Sequence, residues 1–354
     1  MDATMIQTKG LTRHFTVKKE TVEAVRGIDL HVRRGELVAL LGPNGAGKST
    51  TLRMLTTLLP PTSGTAEVAG HDVVREQAAV RHRIGYIGQG NGAGHTQRGR
   101  DELVIQGRCY GMGRKAARAR ADELISALGL ETVADRTVST LSGGQRRRLD
   151  IAMGLIHAPD LLFLDEPSTG LDPQNRANLQ EQILNLHTEY GTTVVLTTHY
   201  LDEADSMAER VIVVDHGRVI ADDSPTQLKR DHAGDRITLT AGHTDDARRV
   251  ADRARRSAGA EVTQSGTSVE IRVLGAPQLL PGLLVDLAND GVTVTGAEVA
   301  RPTMDDVFLN LTGRSLREGG AEPADAGADG GADGGARAAA DADGRTTQNQ
   351  EIAA

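Results

Sequence analysis

Apolar residues run unbroken through Leu37-Val38-Ala39-Leu40-Leu41 and again through Leu161-Leu162-Phe163-Leu164. Runs that short and that uniformly apolar read as buried strands. Thr193 to Thr198 and Val211 to Val214 read the same way. Between them the period changes: Leu52, Leu55 and Leu58 suit one helix face, and a second helix fits from about Gly143 to His157. Pro159 stops that helix after roughly 22 Å. A further helix follows His199, and beyond Val214 short strands take over. Strands are expected at Ile237 to Thr240, Glu261 to Thr263, Val269 to Val273 and Val292 to Val294. Helices are expected over Asp246 to Ala258 and Pro277 to Asn289, the latter with Leu280, Leu283, Leu284 and Leu287 on one face. Strand, helix, strand, strand, helix, strand is the split βαβ order. Pro302 suits the start of a last helix whose apolar stripe is Met304, Val307, Phe308 and Leu311, which ordinary core packing would explain. From Glu318 onward Ala, Gly and Asp dominate, with too few apolar residues to offset the entropy of ordering, so the end of the chain (314–354) is expected to be a disordered acidic tail.

The first apolar run feeds Gly42-Pro43-Asn44-Gly45-Ala46-Gly47-Lys48-Ser49-Thr50, which fits G-x-x-x-x-G-K-[ST]. Such a loop turns successive backbone N–H groups toward one point, and the helix it opens adds about half a positive charge at its N-terminus. A triphosphate fits there, with Lys48 reaching the outer phosphates and the Ser49 hydroxyl on a bridging Mg²⁺. The second run ends in Asp165-Glu166-Pro167. Asp165 can hold the metal shell and Glu166 can orient or deprotonate an attacking water, although acids at a strand end can also be plain solvated loop residues. Ahead of that run stands Leu141-Ser142-Gly143-Gly144-Gln145. Glycines at a helix start leave N–H groups open to a phosphate with no Cβ in the way; Ser142 as a simple N-cap would satisfy the same letters. Arg146, Arg147 and Arg148 are consecutive on this helix and point in different directions, which argues against a nucleic-acid patch.

In this order the three segments resemble the ATP-binding subunits of ABC transporters, with Leu141 to Gln145 similar to their signature. The resemblance implies a P-loop NTPase of the ABC ATPase type: an α/β fold with a RecA-like core, an antiparallel β subdomain and a helical insert at about 95–158, all within residues 1–230, then a small α+β domain over 231–313. It implies a homodimer in which each ATP lies between one chain's Lys48 loop and the other chain's Ser142 helix. Gln89, after Ile84-Gly85-Tyr86-Ile87-Gly88, is similar to the Q-loop glutamine that senses Mg²⁺ and the attacking water and touches the membrane subunit. Ser168-Thr169-Gly170-Leu171-Asp172 resembles the D-loop that lies across the dimer interface, and His199 the switch histidine that contacts the γ-phosphate. A lone His at a strand end is otherwise a surface or capping residue. Phe15 is placed like the aromatic that stacks on adenine, or is a small core aromatic. By the same resemblance the loop from Gly42 to Thr50, Ser142 to Gln145 and Asp172 bind nucleotide; Ser49, Gln89 and Asp165 hold Mg²⁺; and Glu166, His199 and Gln89 serve hydrolysis.

Just after Gln89 the chain departs from the family pattern: Gly90-Asn91-Gly92-Ala93-Gly94-His95 is polar and glycine-rich, at the surface expected to dock the membrane partner. The closing string Arg301-Pro302-Thr303-Met304-Asp305-Asp306-Val307-Phe308-Leu309-Asn310-Leu311-Thr312-Gly313 resembles the end of ABC ATPases of the daunorubicin-resistance type, the ATP-binding halves of antibiotic exporters. That implies a translocating ATP hydrolase on the cytoplasmic side of the cell membrane, held there by a separate integral-membrane permease, with the appended domain serving regulation and assembly.

At 354 residues the chain exceeds one typical domain. No run approaches the roughly 18 apolar residues of a membrane span, and Met1-Asp2-Ala3-Thr4 does not open a secretory signal. The single cysteine, Cys109, rules out an internal disulfide and fits a reducing compartment. A net charge of −8 lacks the basic face that nucleic acid demands. The alternative reading is a soluble ABC ATPase acting on ribosomes or DNA, which usually carries tandem ATPase units or a long coiled coil; here there is one unit and a short helical insert. A small-molecule kinase of the phosphate-loop class would leave Leu141 to Gln145 unexplained.

Overall fold

The structure, a computed structural model, describes residues 4–90, 92–256, 260–273 and 275–313. The tail expected from 314 onward lies outside them. The chain opens with β1 (Thr4–Val17), β2 (Glu20–Ile28) and β3 (His31–Arg33), and β1 pairs antiparallel with both of the others. β4 (Leu37–Leu41) starts a second sheet and delivers the chain to α1 (Lys48–Leu55). β5 (Ser63–Val68) and β6 (His71–Asp72) return to the first sheet, whose order is β2-β1-β5-β6 with β3 beside β1. After α2 (Gln77–Arg83) and β7 (Ile84–Ile87) comes a helical arm of α3 (Gly99–Cys109), α4 (Arg114–Ala127) and α5 (Gly143–Leu155). β8 (Leu161–Asp165), α6 (Pro173–Tyr190), β9 (Thr193–Thr198), α7 (Leu201–Met207), β10 (Arg210–Asp215) and β11 (Arg218–Asp223) complete the second sheet. Its order is β11-β10-β4-β9-β8-β7, with β11 antiparallel and the rest parallel.

The uniformly apolar strands are buried on both faces because the parallel sheet lies between two layers. In β4, Leu37, Ala39 and Leu41 enter a core shared with the helical arm and α6, whereas Val38 and Leu40 enter a second core shared with α1 and the antiparallel sheet. Phe163 and Val195 belong to that second core, and Leu162, Leu164, Val194 and Leu196 to the first. The sheet is therefore clamped between two dry layers, which fixes the C-terminal ends of β4, β8 and β9 relative to one another.

After α8 (Pro225–His232) a third, four-stranded sheet forms from β12 (Asp235–Ala241), β13 (Glu261–Ser265), β14 (Ser268–Val273) and β15 (Val294–Ala300), in the antiparallel order β13-β14-β12-β15. α9 (Thr244–Ala254) and α10 (Ala276–Asn289) cover one face through Val250, Leu283 and Leu287. Strand order and helix placement are those of a ferredoxin-like unit. The last strand begins at Val294 rather than Val292, whose side chain is buried just ahead of it. The last helix, α11 (Met304–Thr312), begins after Pro302: Thr303 caps it in a capping box with Asp306, a stronger start signal than a proline. Its Met304, Val307 and Phe308 do not join the third sheet's core. They bury in the first core, with Ala204 of α7 and Leu228 of α8. One further expectation is corrected: α1 stops at Leu55, and Leu58 lies beyond it, 59% exposed.

Candidate functional site

The phosphate loop owes its shape to two glycines. Gly47, the N-cap of α1, has φ +99°, and a Cβ there would stand 2.4 Å from the Ala24 carbonyl. A Cβ on Gly42 would stand 2.1 Å from the Val214 carbonyl. The loop is thus pressed against neighbouring backbone, and no residue with a side chain fits either place. From Asn44 to Thr50 it lines a cavity of about 710 Å³ whose other walls include Val22, Arg26, Gln89, Glu166 and His216. The chemistry sits at one end.

Lys48 is buried and folded back onto the loop's own carbonyls, with Nζ donating to Gly42 O at 2.7 Å and Pro43 O at 3.0 Å. Its ammonium also stands 3.6 Å from Glu166 Oε1. Burial lowers the Lys48 pKa, and Glu166 works against that. Ser49 Oγ donates to Asp165 Oδ1 at 2.7 Å and accepts from Gln89 Nε2 at 3.1 Å. Asp165 takes a further bond from Thr197 Oγ1 at 2.7 Å, while its Oδ2 is buried with no hydrogen-bond partner. Three residues expected to share a cation therefore touch already, and the orphaned carboxylate oxygen is the kind of donor a hard cation takes.

Glu166 has φ +46°, a left-handed conformation that strains a residue with a side chain. The turn is held by bonds from Glu166 N–H to Thr197 O at 3.2 Å and Thr197 Oγ1 at 3.0 Å. The strain swings the carboxylate off the strand and toward the loop. His199 Nδ1 lies 3.3 Å from Glu166 Oε2, close enough to pair with it but not aligned for a linear hydrogen bond. His199, then Lys48, hold the Glu166 carboxyl below the ordinary range against the opposing effect of burial. The group is an anion at neutral pH.

The expected second half of the site is elsewhere. Ser142 caps α5 in a reciprocal box, its Oγ accepting from Gln145 N–H while Gln145 Oε1 accepts from Ser142 N–H. The lining of the phosphate-loop cavity does not include residues 142–145. The two glycines differ. A Cβ on Gly143 would meet only Leu171, at an ordinary 3.7 Å, whereas one on Gly144 would stand 2.6 Å from Asn175 Oδ1. A side chain at 143 would thus find open space, whereas one at 144 would press on the Asn175 side chain. Asp172 caps α6 through Asn175 N–H. Phe15 pairs across the strands with Val22, which lines the cavity, but the Arg13 guanidinium covers its ring at 4.8 Å and Phe15 is not among the lining residues.

Two residues of α5 that motif reading missed bind the site together. Arg147, 7% exposed, donates to Pro167 O at 2.8 Å, Gly88 O at 2.7 Å and Asp165 O at 3.2 Å. Burial lowers its pKa, while Asp150 and Asp165 oppose that. Asp150, one turn on, accepts from Gly92 N–H at 3.0 Å and Ala93 N–H at 2.9 Å. The departing glycine-rich stretch after Gln89 is thereby fastened to the signature helix. Arg146 and Arg148 bond other carbonyls, Val138 O and Leu128 O. The only signal in the sequence was that the three arginines point apart.

A phosphate loop opposite an acid pair, on a parallel sheet backed by an antiparallel layer and a helical arm, defines an ATP hydrolase of the ATP-binding-cassette class. Residues 25–169 match the ABC transporter family model, and residues 224–312 match the C-terminal domain of DrrA1-3-like ATP-binding proteins. The daunorubicin resistance ATP-binding protein DrrA3 of Streptomyces coeruleorubidus is 43% identical over 322 residues, 90% of this chain and 98% of that protein. The Nod factor export ATP-binding protein I of Paraburkholderia xenovorans is 37% identical over 308 residues, 85% of this chain and 97% of that one. A dimeric post-hydrolysis state of the ATP-binding cassette MJ0796 with ADP and Pi superposes with a TM-score of 0.57 at 27% identity, covering 62% of this chain and 98% of that one. The chain belongs to the ABC transporter ATP-binding proteins of the daunorubicin-resistance type. It is an ATP-hydrolysing exporter subunit, and the ribosome or DNA alternative is set aside. Among the described residues no helix is long and apolar enough to cross a membrane.

Proposed function

We propose that two copies of this chain close on two ATP molecules and drive a separate integral-membrane permease from its cytoplasmic side, exporting an antibiotic or similar small molecule. The observation that carries this reading is the separation within one chain: the capped Ser142 helix is apart from the cavity formed by its own phosphate loop, and Gly143 has room for a phosphate from another molecule. In this reading residues 1–230 are the motor, and 231–313 form a regulatory and assembly domain that returns to the motor through α11.

ATP binding would draw Lys48 Nζ off the Gly42 and Pro43 carbonyls onto the outer phosphates. Ser49, Gln89 and Asp165 would hold Mg²⁺, which supplies charge neutralisation between those phosphates. Glu166, ionised and aimed by its strained turn, would orient the attacking water and take its proton, while His199 would contact the γ-phosphate. Phe15 or the neighbouring Val22 would carry the base, and Asp172 would lie at the seam between the two chains.

Because each pocket would need both chains, ATPase activity is expected to rise faster than linearly with protein concentration; strict proportionality in a dilution series would remove the two-chain pocket. The permease reading is tested by efflux of a candidate anthracycline from vesicles that hold the chain with a six-span membrane protein from the adjacent reading frame. Efflux is expected with the wild type and is expected to vanish with Lys48→Ala. Efflux that persists with that variant would exclude this chain as the motor.

A further inference from the structure

Behind the catalytic turn lies a buried acid that the mechanism above does not use. Glu203, in the first turn of α7, is 1% exposed, and neither carboxyl oxygen has a hydrogen-bond partner. Burial raises its pKa, opposed first by the Thr198 hydroxyl, then by that of Ser168 and by the charge of Arg176, while Asp202 adds to the rise. Thr198 Oγ1 already accepts from Tyr200 N–H at 2.9 Å, which leaves its own proton for Glu203. Ser168 is 1% exposed, and its Oγ is likewise buried without a hydrogen-bond partner. Arg176 reaches the same corner, its guanidinium stacked 3.8 Å over the Tyr200 ring.

The positions of these neighbours give the arrangement its meaning. Ser168 follows Glu166 by two residues, and Thr198 directly precedes His199. The Glu203 carboxyl group therefore feels one hydroxyl beside the general base and one beside the histidine. A leucine or methionine of similar volume would be more stable in such a place, since a buried acid without well-formed bonds is expensive. An arrangement that works against stability beside an active site is the mark of a functional constraint.

We propose that Glu203 is a positioning residue for hydrolysis, a buried polar group set between the turn after Glu166, at Ser168, and the end of the switch strand, at Thr198. The proposal deepens the ATPase reading above and rests on it. The test compares wild type, Glu203→Gln, Ser168→Ala and the double variant in kcat and KM for ATP and in melting temperature. Glu203→Gln keeps the shape but replaces one carboxyl oxygen by an amide donor. It is expected to lower kcat about tenfold or more, with KM within about twofold, while raising the melting temperature by about 3 °C. The double variant is expected to turn over no more slowly than Glu203→Gln alone, because both changes break one link.

An unchanged kcat in Glu203→Gln would overturn the proposal. So would kcat and melting temperature falling together, a failure to fold, or additive losses in the double variant, since each would make Glu203 mere support. Wild-type turnover across the dilution series separates the two readings. A linear series with the Glu203 effects intact would remove the two-chain pocket and keep the positioning role; a steep series without those effects would do the reverse.

Discussion

Replacing Glu166 by Gln is expected to lower turnover at least about 100-fold, roughly 2.7 kcal/mol of barrier, while ATP with Mg²⁺ now holds the protein as a dimer. The loss follows from the proposed role of Glu166, an ionised carboxylate that takes a proton from water. The amide cannot take it, and nothing else in the cavity stands where Glu166 does. Dimer stabilisation follows from charge. In the wild type, Glu166 presents an anion 3.6 Å from Lys48, at the site proposed for the outer phosphates of ATP, so part of the lysine's attraction for phosphate is opposed. Glutamine removes that opposition and keeps the size of the side chain. The left-handed turn survives, because its two bonds run through the backbone N–H of residue 166 to Thr197. Light scattering after gel filtration, with and without ATP and Mg²⁺, reads the dimer, and phosphate release reads the turnover. A variant that stays monomeric with nucleotide, or that still hydrolyses ATP at the wild-type rate, would remove Glu166 from its assigned role.

Arg147→Met is expected to be the most damaging substitution outside the loop itself. The guanidinium is buried and satisfies carbonyls on both sides of the site, Gly88 before Gln89 and Asp165 and Pro167 around Glu166. Methionine fills much of the volume, so the damage comes from carbonyls left without a donor and from Asp150 and Asp165 left without their cation. A stability loss of about 3–5 kcal/mol is expected, measured by urea unfolding. Turnover should fall more than about tenfold, because Gln89 and Glu166 are no longer held in one register, whereas ATP affinity should fall less, since Lys48 is held by the loop's own Gly42 and Pro43 carbonyls. Full stability in Arg147→Met would show that the bonds of this arginine are replaced by water, and that α5 does not couple the two loops.

The contrast between these two residues describes what could be read in advance. Glu166 belongs to a contiguous string in which an apolar run, two acids and a proline together point to its proposed role. Gly47 and Lys48 are legible for the same reason, since the geometry of a phosphate loop is dictated within a few residues of backbone. Arg147, Asp150 and Glu203 carry no such local signal. Arg147 and Asp150 bind carbonyls and amides 18 to 59 residues away in the chain, and the hydroxyls that act on Glu203 belong to Thr198 and Ser168. Backbone groups look alike in every sequence, so a side chain that binds them leaves no complementary letter to find. The same limit explains α11. Its apolar stripe was plain, but the choice between the third sheet's core and the motor's core depends on where the chain returns in space.

The sequence by itself determined the class of enzyme, the buried strands, the split βαβ order and the residues at the phosphate loop, because periodicity, glycine geometry and acid placement act over short spans. Only the tertiary structure decided that Gly144 packs on Asn175 while Gly143 is open, that Glu166 is strained toward Lys48 and His199, that Arg147 fastens distant loops, and that Glu203 is buried behind them. Those outcomes come from close packing of segments far apart in the chain, where an ångström of approach decides whether a side chain is a ligand, a support or a clash.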